Sequence, residues 1–272
     1  MILDSHDEKD IKEMQKYGKT KGMILVKKYF PSFNVYERII ILNSKQDLKK
    51  LENILPELFF VRVDYIIGKQ TKYLPGKNID KDNLLNYIVE VNKLSVDANV
   101  VILLEKQINE YDLIHTNGSF NIHFDCDKFV YFDYVGNGFD ASNITKGQAT
   151  HESWKIPFKE ILFLDSKNIN KYKIFEVSNI EYANQLIKRK EELKNHLPNY
   201  IKEIEKINKE YVKCDSRKIQ MVIEKIILPV MCNLDSITKD VGKEFGLQCN
   251  FIKDGIEMYE INRPERMVKP EN

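Results

Sequence analysis

Apolar residues in this chain fall into short blocks separated by polar, helix-forming stretches. Arg38-Ile39-Ile40-Ile41-Leu42 and Val100-Val101-Ile102-Leu103-Leu104 have no polar face, which predicts strands covered on both sides. Phe59-Phe60-Val61-Arg62-Val63-Asp64-Tyr65 is aromatic and β-branched and reads as a strand with charge at its end. Two more strands are expected near 119–125 and 128–135, on either side of a hairpin turn at Asp125-Cys126-Asp127-Lys128. The stretch from Gln248 to Asn262 reads as two short strands about a Lys253-Asp254-Gly255 turn.

Helical periodicity marks residues 44–55, 80–95 and 180–213, and more weakly 5–17. In the third of these, Ile201, Ile204, Ile207 and Tyr211 form one apolar stripe. Residues 217–246 predict one or two further helices, broken near Pro229. Loops are expected at Tyr17-Gly18-Lys19-Thr20-Lys21-Gly22 and through Gly68, Pro75 and Gly76, and the segment 136–150 is Gly-rich and polar. No internal repeat is visible, and strands and helices do not alternate regularly. That pattern favours an α+β chain with antiparallel sheets.

With 272 residues the chain can bury a sizeable core without disulfides or metals. Its 42 Lys+Arg against 41 Asp+Glu argue against attachment to nucleic acid or membrane by bulk charge. No apolar run approaches the roughly 18–20 residues of a membrane span. The opening residues, Met1 to Asp10, have no basic leader followed by an apolar stretch, so no secretory signal is expected. Cys126, Cys214, Cys232 and Cys249 are too far apart for a zinc knuckle or a redox pair, which suits reduced thiols and a cytoplasmic protein. His115 and His123 could meet on one hairpin, but ordinary half-buried residues are the simpler reading.

Candidate chemistry collects at three places. In the closing hairpin, a three-residue loop with a left-handed Gly255 would place Ile252 opposite Ile256 and Gln248 opposite Glu260. Gln248, Asn250, Glu260 and Asn262 would then share one face, an oxygen-rich set suited to magnesium with bound phosphates. A plain exposed polar face is the alternative, and a two-residue loop would put Asn250 and Glu260 on opposite faces. The second place is Glu105, at the end of a buried strand whose backbone edge could meet a purine. The third is the pair Lys19 and Arg62, cations able to reach phosphate; Gly18-Lys19 lacks the spacing of a P-loop.

The order of these segments resembles the ATP-grasp superfamily. Glu260-Ile261-Asn262 and Arg263-Pro264-Glu265 resemble its closing metal-binding strand. The closer likeness is to the nucleotide-binding domain of phosphoenolpyruvate synthase and pyruvate phosphate dikinase. Tyr17-Gly18-Lys19 with Phe30-Pro31 resembles that family's opening, and Phe60 to Asp64 its arginine-bearing phosphate strand. Ile102 to Ile108 resembles its adenine-side strand, Asn117-Gly118-Ser119-Phe120 its Ser-Gly-x-x-Phe step, and Gly136-Asn137-Gly138 its Gly-x-Gly segment. The chain departs from the family where Asn250 stands for a metal-side glutamate, where Glu260 stands for a glutamine, and where no glutamate follows Gly138.

The resemblance implies an α+β, ATP-grasp-like fold: two lobes with mostly antiparallel sheets, residues 1–100 and 101–272, clasping a nucleotide cleft. It implies ATP and Mg²⁺ as cofactors and ATP-dependent phosphoryl transfer as the activity. Lys19 and Arg62 would neutralise phosphates, Glu105, Lys106, Gln107 and Ile108 would hold adenine, Asn250, Glu260 and Asn262 would hold the metal, and Arg263 would stabilise the transferring group. Neither a phosphohistidine domain nor a pyruvate domain fits in this length, so the acceptor would be a small molecule, a protein or a partner chain. An ATP-dependent carboxylate–amine ligase and a degenerate, non-catalytic binding domain are the alternatives.

Overall fold

Two antiparallel sheets organise the chain, each at the centre of its own unit. The computed structural model describes residues 2–4, 9–10, 12, 18–31, 38–42, 58–67, 70–93, 99–106, 118–136, 139, 141–145, 147–193, 213–252 and 255–262. Residues 1–28 with 35–108 make the first unit, and residues 29–34 with 109–272 the second. Every strand pairing among the described residues is antiparallel, so the chain is α+β. Among the described residues no helix is long and apolar enough to cross a membrane.

The first sheet has the order β1-β2-β5-β3-β4. Its strands are β1 (Ile2–Asp4), β2 (Arg38–Leu42), β3 (Leu58–Ile67), β4 (Gln70–Asp80) and β5 (Asn99–Lys106). β5 enters between β2 and β3, which accounts for its unbroken apolar run. It also carries the first unit to residue 108 rather than 100.

The described residues of this unit include helices α1 (Gly18–Tyr29) and α2 (Lys81–Lys93). Asp80 opens α2 by accepting the Asn83 N–H at 2.8 Å, and Leu84, Tyr87, Ile88 and Val91 form its buried stripe. The predicted helix at 44–55, and most of that at 5–17, lie outside the described residues.

Two expected loops prove to be regular structure. Gly18 to Gly22 form the first turns of α1. The cause is Asp64 on β3, whose Oδ2 accepts both the Thr20 N–H at 2.9 Å and the Thr20 hydroxyl at 3.0 Å. A carboxylate there satisfies an orphan N–H and complements the positive helix end. The Pro75-Gly76 segment belongs to β4. β4 is an edge strand, and its register with β3 shifts between Val61↔Lys77 and Val63↔Leu74, opposite that dipeptide. Edges and bulges are where a sheet tolerates proline.

The second sheet has the order β11-β10-β6-β7-β8-β9. It contains β6 (Ser119–Asp125), β7 (Phe129–Val135), β8 (Glu152–Pro157), β9 (Lys173–Glu176), β10 (Glu244–Ile252) and β11 (Gly255–Asn262). Phe120, Phe124, Phe132, Trp154, Phe245 and Phe251 line one face of it and are all buried. Ring centroids lie 4.6 Å apart for Phe120–Phe251 and 4.8 Å for both Phe124–Phe245 and Phe132–Trp154. Helix α3 (Ala141–Thr145) lies against β6, β7 and β10, and α4 (Asn179–Leu193) contributes Tyr182 and Leu186 to a cluster with Val135, Phe139 and Ile144.

Residues 216–241 form α5 (Ser216–Val222), a π-helical turn (Ile223–Ile227), α6 (Leu228–Cys232) and α7 (Leu234–Val241). The helix does not break at Pro229. Pro229 has no N–H for the fourth residue back, and the chain widens instead, with the Leu228 N–H donating to Ile223 O. The true interruption is Asn233, between α6 and α7. The Lys218 ammonium on α5 lies 5.1 Å from the Tyr134 ring centre and 5.5 Å from that of Phe251, so this helix covers the aromatic face.

Gly118 sets the start of β6. Its φ is +107°, and a Cβ there would stand 2.7 Å from the Tyr134 ring, the Tyr134 hydroxyl and Val135 O. Gly147 also has a left-handed φ, +67°, but open space around it. Gly118→Ala is expected to cost the backbone strain of about 1–3 kcal/mol plus the clash, and Gly147→Ala the backbone part alone. Urea midpoints of the two variants should differ accordingly; equal midpoints would refute the steric part.

Candidate functional site

β6 alternates Ser119, Asn121 and His123 with Phe120, Ile122 and Phe124, and all six are buried. On β6 one face is therefore apolar and packed, and the other is polar and also buried. Cross-strand partners share a face, so the register defines a polar row across five strands. Glu260 on β11 stands opposite Gln248, Gln248 opposite Asn121, Asn121 opposite Asp133, and Asp133 opposite Ser153. A neighbouring row contains Glu257, Asn250 and Ser119.

Hydrogen bonds organise this face. Ser119 Oγ lies 2.6 Å from Asn250 Oδ1 and 3.2 Å from Phe139 O, and its single proton serves the shorter contact. Thr145 on α3 accepts from Asn121 Nδ2 at 3.1 Å and from Gln248 Nε2 at 2.8 Å, and donates to Ala141 O at 3.1 Å. All three bonding positions of that hydroxyl are filled, which fastens a five-residue helix to the sheet. Ser153 donates to Asp133 Oδ1 at 2.5 Å. Burial pushes the Asp133 carboxyl up to about 6, partly offset by the Ser153 bond.

The closing hairpin reaches the expected arrangement by another route. Its last pair is Ile252↔Gly255, so two residues connect the strands, and Gly255 is part of β11 rather than a left-handed turn residue. That loop alone would set Asn250 and Glu260 on opposite faces. The register then shifts between Cys249↔Met258 and Gln248↔Glu260, which makes Tyr259 an inserted residue. The insertion returns Glu260 to the face of Gln248 and Asn250. Asn250 is fully buried and Glu260 is 6% exposed.

The other predicted residues are placed as follows. Lys19 is in the first turn of α1 rather than in a loop, and its side chain lies outside the described residues. Arg62 is half-buried on β3, opposite Leu103. Glu105 stands between Arg38 and Phe60, and Lys106 opposite Phe59, so both belong to the first sheet's ladder. Gln107, Ile108 and Arg263 lie outside the described residues, as does the Asn262 side chain, although Asn262 itself pairs with Gly246. The first unit thus carries Lys19, Arg62, Glu105 and Lys106, and the second carries Asn250, Glu260 and Asn262. No cluster of three or more His, Cys, Asp or Glu side chains able to hold a metal occurs among the described residues. All four cysteines are free thiols. His115 lies outside the described residues, and His123 is buried with its ring 6.0 Å from that of Tyr131.

Asn121, Thr145, Asp133 and Ser153 were not among the residues expected to matter. The available signal was the strict period of two in Ser-Phe-Asn-Ile-His-Phe, which puts three polar residues on one side of a central strand. Next to this face, the Gly136 N–H donates to His151 Nδ1 at 2.6 Å, and Tyr182 and Phe139 meet that ring edge-on. Burial lowers the His151 pKa to about 4, so the ring is neutral and carries its proton on Nε2.

No protein-family model and no curated protein matches this chain.

Asp133 and His151 pull stability in opposite directions with pH. For Asp133 the folded value, about 6, lies above its ordinary 3.8, so its contribution is complete below about 3.8 and is lost as pH rises through 6. For His151 the folded value, about 4, lies below 6.5, so its contribution is present above about 6.5 and is lost as pH falls through 4. Asp133→Asn keeps an acceptor for Ser153 and removes the buried charge. It should be more stable than the wild type at pH 7.5 by roughly 2–3 kcal/mol, with the gap closing by pH 4. Urea unfolding across that range checks the sign; a variant less stable at pH 7.5 would overturn it.

Proposed function

We propose that this chain is an ATP-grasp-like enzyme that transfers the γ-phosphoryl group of Mg·ATP to an acceptor. The observation that supports it most is the bulge at Tyr259, which sets Glu260 on the same face as Gln248 and Asn250. A Glu-x-Asn strand with its carboxylate beside a neighbouring amide is the arrangement that the resemblance to ATP-grasp proteins leads one to expect. The organisation as two units, each built on an antiparallel sheet, agrees with a two-lobed clasp.

The donor set fits magnesium. It is made of oxygens only, with one carboxylate, and a hard cation of this kind takes its remaining ligands from water and nucleotide phosphates. Glu260 and Asn250 would hold the ion, together with Asn262, and the ion would supply charge neutralisation on the phosphates. Arg62 on β3 would bind phosphate oxygens through its planar fork, with Lys19 adding a point charge. Glu105 is paired on both sides within the sheet, so the adenine edge would be met by the chain from Lys106 to Ile108, and Arg263 would steady the developing charge on the transferring group.

One observation favours a second reading, a nucleotide- or partner-binding domain without turnover. Asn250 is fully buried, and its amide oxygen accepts the Ser119 hydroxyl at 2.6 Å. Calorimetry with a non-hydrolysable ATP analogue separates the two, run with and without Mg²⁺. The enzyme reading expects nucleotide binding that depends on Mg²⁺, loss of that dependence in Glu260→Gln, and ADP release from ATP by the wild type. Binding without ADP release favours the second reading, and a folded protein that binds no nucleotide overturns the first.

A further inference from the structure

The polar face holds a group of hydrogen-bond acceptors that the nucleotide reading does not use. Asn121 is 3% exposed, and its Nδ2 donates to Ala141 O at 3.3 Å and to Thr145 Oγ1 at 3.1 Å. A carbonyl only accepts, so the atom facing Ala141 O is the nitrogen and the amide orientation is fixed. Asn121 Oδ1 is thereby left buried and without a hydrogen-bond partner. Thr145 also receives Gln248 from β10, so the Asn121 nitrogen is committed to α3, while the register sets Asn121 beside Asp133 on β7.

Asp133 is the β7 neighbour of Asn121, and Ser153 is the β8 neighbour of Asp133. Ser153 gives its one proton to Asp133, so its remaining capacity is to accept. Asn121 Oδ1, the second Asp133 oxygen and Ser153 Oγ thus occupy successive places along one row, all acceptors. Among the described residues no cation pairs with Asp133. Lys155, two residues beyond Ser153 on the same face, holds its ammonium 4.5 Å from the Phe129 ring centre and 5.7 Å from that of Tyr131. A buried carbonyl oxygen without a donor is costly, as is a carboxylate discouraged from ionising. A guest that only donates and carries positive charge relieves both. A primary ammonium has three donors, no acceptor and a full charge, whereas a hydroxyl brings one donor and no charge.

We propose that Asn121, Asp133 and Ser153 bind the ammonium group of a primary-amine ligand on the polar face of the second sheet. The half-buried Asp133 is the entry side, since Asn121 and Ser153 are both buried. The site lies within one unit and requires no nucleotide, so it stands or falls apart from the phosphoryl-transfer reading.

The probe is methylammonium chloride, compared with tetramethylammonium chloride at equal ionic strength and pH 7.5, without nucleotide. The tetramethyl ion has the same charge and no N–H to donate. The readout is the side-chain amide resonance of Asn121 in the full chain. Methylammonium should shift that resonance saturably and tetramethylammonium should leave it in place. Asp133→Asn should weaken methylammonium by about tenfold or more, the effect of losing one charge-assisted hydrogen bond. Ser153→Ala, which keeps the carboxylate, should weaken it less. No saturable shift in the wild type, an equal response to both salts, or undiminished binding by a folded Asp133→Asn each overturns the proposal. If Asp133→Asn does not fold, Ser153→Ala and the wild-type salt comparison still decide.

Discussion

β6 is the central constraint of the second unit, because both of its faces are covered and only one is apolar. Phe120, Ile122 and Phe124 need only packing. Ser119 and Asn121 need partners, since a buried polar group without one costs on the order of 1–3 kcal/mol. Much of the surrounding structure follows from meeting that demand. β10 supplies Asn250 to Ser119, and α3 supplies Thr145 and the Ala141 carbonyl to Asn121. α3 has five residues, too few to persist as an isolated helix. Its hold on the sheet is the Thr145 hydroxyl, shared between β6 and β10, together with the packing of Ile144 into the cluster around Phe139.

The position of Glu260 depends on the same sheet through a matter of parity. A strand has a side-chain period of two, so a hairpin loop shorter by one residue reverses every face beyond it. Here the loop is shorter than the sequence suggests, and Tyr259 inserts one residue before Glu260. The two departures cancel. Met258 stays opposite Cys249 on the apolar side, and Glu260 returns to Gln248 on the polar side. Without the insertion, one of these residues would have to sit on the wrong face. A buried methionine three positions past Gly255 and a buried glutamate five positions past it leave the chain little other choice.

What could be read from the sequence depended on how local its cause was. β2, β3, β5, β6, β7, the β10–β11 hairpin, the α2 stripe and the α+β class follow from short-range periodicity and appear where it puts them, whereas β1, β4, β8 and β9 were not legible from it. The pairing of Gln248 with Glu260 was legible as well, although for a reason that the loop does not share. The misread segments have distant or compensating causes. Gly18 to Gly22 look like a loop because their cap is Asp64, which is 44 residues away in sequence. Pro75-Gly76 looks like a loop because edge position and bulge are properties of the assembled sheet. Pro229 looks like a helix end because a π-helical turn is invisible to a period of 3.6. Asp133 and Asn121 look like ordinary strand residues until the register places them side by side.

Two carboxylates on adjacent strands show why that last pair stands apart. Glu152 on β8 is opposite Tyr134, one register step from the Asp133–Ser153 pair and therefore on the other face. It is fully buried, and the fold meets its charge with Lys173 and with the Cys214 N–H at 2.6 Å. Lys173 in turn reaches Glu176 at 3.0 Å, so the negative charges of this group are shared with a cation. That is the ordinary resolution of a buried charge, an ion pair closed by further hydrogen bonds. Asp133 is surrounded differently. It has a single neutral donor, an amide oxygen with no partner as its neighbour, and a lysine on its own face whose ammonium is held over aromatic rings. The same sheet, with the same residue types within reach, compensates one carboxylate completely and leaves the other under-compensated. Packing alone does not account for that difference, whereas a cationic guest at Asp133 does.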